Sequence, residues 1–333
     1  MEPFSNPPLR RLSRRRRGFA VLSLAAVCLA GCQTSKPDVK TTRPEETSAE
    51  HPRVNLTRGV TYAALPTGPT EGVDLLDVDL SSGARVVVAA EGIRRVDGDI
   101  VGASILPSEW LERRKAVGAV NGGYFGREHK DVKEIIGLLV QNGRVRHTAP
   151  PLTGHGSATL AAGQYVRSAF GLFSDGTPSI VWAATDPANP QSVLQYDTPT
   201  PRRAGDGVPW RIDSAVGCGP MLIHGGQIVV TDRKERLSNE GARPRTFLAY
   251  DGAPGHPQHL LIGIASALTF TDLAQFLADY FPKTHGARAQ AAMCLDGGSS
   301  TQMSVRDASG VQSPRDTGVT VPTSIVVTAG NPG

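Results

Sequence analysis

Aromatic residues are scarce in this chain, at 5% of 333 positions, and cysteine is scarcer, with four in all. Few aromatics beside 37 glycines and 25 prolines disfavour a helical bundle and favour a turn-rich, strand-rich body. No CxxC pair occurs, which removes the usual basis for a structural zinc site. His-x-His and His-x3-His pairs are absent too, so a transition-metal centre has no evident ligand set. Beyond the first 32 residues no apolar run is long enough to span a bilayer, and no repeat of solenoid length recurs. Excess positive charge is also missing from the body. The formal net charge is +4, but residues 1–17 hold six arginines against one glutamate and residues 18–32 hold no charge, which leaves about −1 for the rest. Nucleic-acid binding by the body therefore has no electrostatic basis.

What is present begins with a leader. Six arginines up to Arg17 precede an apolar run over 19–30, too short for a membrane span and suited to a signal-peptide core. The run ends Leu29, Ala30, Gly31, Cys32, which resembles a bacterial lipobox with Cys32 as the lipidated residue. Arg16 and Arg17 resemble a twin-arginine export signal, and the route of export stays open. Residues 33–55 are polar, carry Pro37, Pro44 and Pro52, and read as a disordered tether. The expected organisation is a signal peptide over 1–31, a tether with lipidated Cys32 over 32–55, and one domain over 56–331. The place of action expected from this is the bacterial cell envelope, lipid-anchored on the periplasmic or outer-membrane side, with the lipid as the only membrane contact.

Along the body, 73–80 and 85–90 read as a hairpin around the turn Ser81, Ser82, Gly83. Residues 107–116 have helical spacing with Ser108 as a cap. A buried-type strand over 116–120 ends at Asn121, Gly122, Gly123, Tyr124, and the charged residues 126–133 read as a loop. Residues 134–140 read as one strand with a turn at Gln141 to Arg144. Short strands between 157 and 182 predict an antiparallel meander, 184–209 a long loop, and 221–230 a hairpin turning at Gly225 and Gly226. Residues 245–251 form a strand, and Thr269 with Asp272 has the form of a capping box opening a helix to Tyr280. The fold class is α+β: a mixed, mostly antiparallel sheet core with a few helices, in a single domain.

The stretch with most chemistry in it is 291–303. A short apolar run delivers Asp296 to a strand end, and Gly297, Gly298, Ser299, Ser300 and Thr301 follow. Asp-Gly alone is an ordinary turn signal. Its company is an Asn121-Gly-Gly loop, a Gly-Cys218-Gly-Pro entry, and Arg245 with Thr246 ahead of a strand. Cys218 and Cys294 are the two body cysteines, and they read either as a disulfide or as two buried thiols. Among other acids, Asp272 reads as a capping residue, Asp251 as a turn residue, and Glu134 has no assignment. His155 and His224 sit beside glycines. Ser299 to Thr301 do not make a G-x-S-x-G elbow, which disfavours a serine hydrolase.

These ordered motifs resemble the phosphodiester glycosidase family: Asn121 to Phe125, Arg245 with Thr246, the capped helix from Thr269, and Leu295 to Thr301. The third glycine of the family's run is Ser299 here, and Phe247 and Leu248 stand where residues are often smaller. The resemblance implies hydrolysis of a glycosyl-1-phosphodiester, of the N-acetylhexosamine-phosphate type, in an envelope or surface glycan. Such a reaction passes through an oxocarbenium-like transition state that a carboxylate can stabilise, attack or serve by activating water. Asp296 is the candidate for that work, Arg245 for binding the phosphodiester through its fork of donors, and Asn121 for orienting the sugar. Gly122, Gly123, Gly297, Gly298, Ser300 and Thr246 complete the expected substrate-binding set. No cofactor is indicated, and a divalent cation held by Asp296 with oxygen ligands stays open. The alternatives are a non-catalytic glycan-binding lipoprotein and an envelope hydrolase of another class.

Overall fold

A computed structural model describes residues 53–66, 72–153, 164–237, 241–253 and 256–330. The leader, Cys32, most of the tether and His155 lie outside the described residues. The tether as read from sequence ends slightly too late. Arg53–Thr57 is already a strand, paired with Val60–Pro66.

Every strand pair among the described residues is antiparallel or an isolated antiparallel bridge, as the mostly antiparallel reading expects. The largest sheet has eight strands. Its middle is made by Gly72–Asp79, His259–Leu268, Arg243–Asp251, Ala289–Cys294 and Met221–His224, in that order. A seven-stranded sheet carries Arg167–Leu172 and Ser214–Gly217, and a five-stranded sheet carries Ala116–Asn121, Met303–Asp307 and Ser324–Thr328. A four-stranded sheet with Phe125–His129 and Val132–Ile135 lies between chain segments of the others.

The central strands read as continuous apolar runs because both faces are covered. In Gly72–Asp79, Val73 and Leu75 pack in the layer under a helix, while Leu76 and Val78 pack in the larger core between sheets. In Arg243–Asp251, Phe247 and Ala249 face the helix, and Leu248 and Tyr250 face the larger core. Successive side chains point to opposite faces, so one strand feeds two cores.

Two helices cover the outside. Helix α1, Pro107–Arg113, buries Trp110 and Leu111 against Ala116, Ala119 and Val326. Its cap is Leu106, whose N–H donates to Glu109 Oε1 at 3.2 Å, and not Ser108. Helix α2, Phe270–His285, opens as expected, with Thr269 Oγ1 accepting from the N–H of Asp272 at 3.1 Å. Leu273, Ala274, Leu277 and Phe281 form its buried stripe at helical spacing. It runs past Tyr280, through Pro282, to a left-handed Gly286 with φ 68°. Burial of Phe281 accounts for the extra turn, which a proline-based stop signal would miss.

Other differences arise from long-range pairing. Gly72–Asp79 and Arg85–Ala89 are no hairpin, because the second pairs with Ser324–Thr328 in the five-stranded sheet. The expected loop over 126–133 is a hairpin, Phe125–His129 with Val132–Ile135. The single strand over 134–140 is broken at Gly137, whose φ is +94°. Within the expected loop 184–209, Asn189–Tyr196 is a strand whose Val193, Leu194 and Tyr196 are buried. The hairpin turning at Gly225 and Gly226 and the meander strands from residue 167 onward form as read.

Phe281→Ala should cost about 3–5 kcal/mol by removing a fully buried ring from under the central sheet. Urea unfolding checks this: the midpoint should fall with the slope unchanged.

Candidate active site

The strand Ala289–Cys294 is buried on both sides between Arg243–Asp251 and Met221–His224. Its last ladder contacts carry the chain outward: Cys294 pairs with Phe247, and the N–H of Leu295 donates to the carbonyl of Thr246 at 2.8 Å. Asp296 follows, where the chain leaves the sheet. Its N–H donates to the carbonyl of Gly122 at 3.1 Å, and its carbonyl accepts from Asn121 Nδ2 at 2.8 Å. The Asp296 backbone is thereby held by a loop from a different sheet.

Asn121 does this from full burial, at 0% exposure. Its Oδ1 accepts from Thr246 Oγ1 at 2.7 Å and from the N–H of Gln302 at 3.1 Å. Both amide atoms are committed inside the protein, so Asn121 and Thr246 position the Asp296 loop and do not face a sugar. This corrects the orienting role read from sequence, and the reason is that the Asn121 side chain closes a gap between sheets. Gly122 and Gly123 are likewise required by packing. A Cβ at Gly122 would meet Thr323 Oγ1 at 2.4 Å, and one at Gly123 would meet the carbonyl oxygen of Gly217 at 2.7 Å.

The Asp296 carboxyl is half-buried. Its Oδ1 accepts from the N–H of Gly297 at 2.9 Å. Burial raises its pKa, while hydrogen bonds from the Ser300 hydroxyl and the Gly297 N–H pull the other way. Desolvation wins, and the acid is held above the ordinary carboxylate range. Gly298 stands at φ +63° with open space where a side chain would be. Ser299 is exposed and outside the left-handed region, so serine fits where the family has a third glycine. A Cβ at Gly297 would lie 3.0 Å from the carbonyl oxygen of Pro244, so the loop runs close against the entry to the Arg245 strand.

Arg245 is placed differently from expectation. It shares the row of Phe247 and Ala249, which faces helix α2, and it is 2% exposed. Its Nε donates to the carbonyl of Leu268 at 3.1 Å and its Nη2 to that of Gly241 at 2.7 Å, with the guanidinium 3.9 Å from the centre of the Phe270 ring. Burial lowers its pKa. The guanidinium that was to bind phosphate instead joins the start of helix α2 to the sheet.

Cys218 and Cys294 are free, buried thiols. Their backbones are neighbours: the N–H of Gly219 donates to the carbonyl of Cys294 at 3.1 Å, and that of Cys294 to the carbonyl of Pro220 at 2.9 Å. The side chains diverge, Cys218 into the larger core and Cys294 into the layer under α2, which is why the disulfide reading fails. Burial pushes both thiols up, Cys294 to about 12. Beside Cys218, the Tyr124 hydroxyl donates to the carbonyl of Gly219 at 2.7 Å.

Sequence reasoning missed Glu235. It lies in the charged run 231–236, which looks solvated, yet it is 0% exposed. Its carboxylate accepts from the Ser168 N–H at 2.8 Å and hydroxyl at 2.7 Å, from Trp182 Nε1 and the N–H of Met221, each at 3.0 Å, and from Thr231 Oγ1. No local signal reveals it, because its donors other than Thr231 come from three distant segments. Of the remaining candidates, Asp272 lies in the first turn of α2, where its carboxylate accepts from the hydroxyl of the cap Thr269, and Asp251 accepts from the N–H groups of Gln258 and His259 at a turn. Glu134 accepts from the N–H of Arg127 at 2.9 Å, and His224 packs on Trp182 at 4.7 Å between ring centres. Among the described residues no group of three or more His, Cys, Asp and Glu could hold a metal ion.

The motifs that build this junction fall within one family match. The phosphodiester glycosidase family matches residues 114–328, from the strand that carries Asn121 to the last strand of the five-stranded sheet. The chain belongs to the phosphodiester glycosidase family. Membership points to a glycosidase-type hydrolase. No curated protein matches the chain. Similar solved structures include a hypothetical protein from Synechocystis, 16% identical with a TM-score of 0.49, covering 84% of this chain and 64% of that one. Another is a "putative exported protein" from Burkholderia pseudomallei K96243, 14% identical with a TM-score of 0.45, covering 81% of this chain and 74% of that one. The chain thus spans 64% of the length of the first of these.

Two outcomes follow for this family member. Because burial raises the folded-state pKa of Asp296, the folded chain holds that proton more tightly, and the ionised carboxylate opposes folding above the folded-state pKa. Asp296→Asn should therefore raise Tm at neutral pH, and the gain over wild type should vanish below the unfolded value of about 3.9. Thermal melts of both proteins across pH check the sign. Cys218 and Cys294 should resist alkylation in the folded protein and both label after denaturation without reductant; labelling that needs reductant would reveal a bridge.

Proposed function

We propose that this protein hydrolyses a glycosyl-1-phosphodiester of the N-acetylhexosamine type in an envelope or surface glycan, with Asp296 as the catalytic carboxylate. The observation that carries this reading is a half-buried acid with a raised pKa, its backbone held on both sides by the Asn121 loop, in a chain of the phosphodiester glycosidase family.

In the reaction, a water oxygen bonds to the anomeric carbon and the bond from that carbon to the phosphate oxygen breaks. The electron pair leaves on the phosphate, and the products are a free sugar and a phosphate monoester of the aglycone. The phosphate is a good leaving group, so the demand for a general acid is small. Asp296 takes the proton from the attacking water and steadies the positive charge that develops on the sugar ring. A carboxylate lifted above its ordinary range is a better base at neutral pH. Glu235 is not its partner, since protein donors occupy its carboxylate. The leader read from residues 1–32 supports a lipid anchor at Cys32 and action at the bacterial envelope.

The purified protein, incubated with UDP-N-acetylglucosamine and with an aryl-phosphate-linked N-acetylglucosamine, should release free sugar. Asp296→Asn should slow release by about a hundredfold or more. Equal activity of that variant removes the assignment of Asp296, and tight glycan binding without release makes the protein a binder.

A further inference from the structure

A cavity of about 160 Å³ opens beside Tyr124 and Cys218, residues of two of the sequence motifs. Its floor is apolar, with Leu138 and Ala183 buried there. Ile136 and Leu152 stand at its lip, 38% and 40% exposed. One wall is Tyr124 and Cys218, and both lie within electrostatic reach of Asp296. Among the described residues, the only charged side chain in the lining is Arg167.

Arg167 is half-buried, with its guanidinium 5.6 Å from the centre of the Tyr124 ring. Its Nε is buried and has no hydrogen-bond partner among the described residues. No carboxylate pairs with it among the described residues either. A guanidinium within cation–π reach of an aromatic ring and left with an unused donor is a poor structural element and a good anion receptor. Arg245, by contrast, spends donors on the carbonyls of Leu268 and Gly241.

We propose that Arg167 is the residue that binds the phosphate of the substrate, and that the cavity behind it takes an apolar aglycone, an aryl or alkyl group esterified to that phosphate. The proposal rests on the phosphodiester reading above and adds the class of the leaving group. The layout follows the substrate: sugar at Asp296, phosphate at the Arg167 and Tyr124 wall, and the ester group over Leu138 and Ala183. A void of this size suits a benzene-sized guest. Leu138, Ala183, Ile136 and Leu152 present hydrocarbon to that group, so an aryl or alkyl ester gains more there than a polar one.

The test pairs binding with turnover. By calorimetry, phenyl phosphate should bind the wild type at least about tenfold more tightly than inorganic phosphate. Arg167→Ala should abolish binding of both. Ile136→Asp, at the exposed lip, should remove the advantage of the phenyl group alone. Asp296→Asn should keep phenyl phosphate binding. In turnover, the phenyl phosphodiester of N-acetylglucosamine should show a KM at least about tenfold below that of the methyl diester, and Arg167→Ala should raise KM for both. Melting curves establish that each variant folds, and Ile136→Asp carries the comparison if Arg167→Ala does not. Equal binding of phenyl and inorganic phosphate, or unchanged binding in folded Arg167→Ala, overturns the proposal even if sugar is released. Arg167-dependent phenyl phosphate binding with no diester cleaved sustains the cavity assignment and overturns the hydrolase reading.

Discussion

One buried carboxamide holds the candidate site together. Asn121 ends a strand of the five-stranded sheet, and its side chain reaches Thr246 and the Asp296 backbone of the eight-stranded sheet. It also fixes the N–H of Gln302, at the start of the next strand of its own sheet. Asn121, Thr246 and Gln302 are cut off from water, so an unpaired polar group there would carry the full desolvation penalty of about 1–3 kcal/mol. The mutual satisfaction of donors and acceptors therefore fixes one relative position of the two sheets. The acid at position 296 inherits that position through its backbone, which leaves its carboxyl to be tuned separately by Gly297, Ser300 and burial.

Glu235 plays an equivalent part on the other side of the junction. It gathers donors from Arg167–Leu172, Pro178–Asp186 and the start of Met221–His224, and so fixes the seven-stranded sheet against the eight-stranded one. Cys218 and Gly219 lie in the crossing between these supports. The main-chain contacts of Gly219 with Cys294, and of Cys294 with Pro220, join the two segments without a disulfide. Polar networks and backbone ladders, with apolar cores on both sides, make the rigid frame. Asp296, the proposed catalytic acid, opens a short half-exposed turn at the edge of that frame.

The parts of this arrangement that could be read from sequence are those set by near neighbours. An apolar run ending in an acid and glycines shows where Asp296 leaves its strand, and Thr269 with Asp272 shows where α2 begins. The antiparallel class follows from short strands and frequent turns. What was hidden depends on which strand pairs with which, and on the parity of a side chain. Arg245 and Thr246 are adjacent, yet alternation sends one under the helix and the other to Asn121, and only the register of the strand decides which. Arg85–Ala89 could not be assigned to its sheet because its partner, Ser324–Thr328, lies at the other end of the chain. Glu235 looked solvated because most of its partners are remote, and Arg167 drew no notice because nothing in its local pattern marks a cavity.

The glycines at the junction have a consequence for divergence among relatives. Gly123 and Gly217 touch through their backbones, and Gly122 is pressed against Thr323, so no side chain can be added there without parting the sheets. Such a seam is closed to gradual change. The lip formed by Ile136 and Leu152 meets solvent and carries no comparable restraint. Selection acting on a lineage of such proteins would find its freedom at that rim, while Asp296 and its supports stayed where they are.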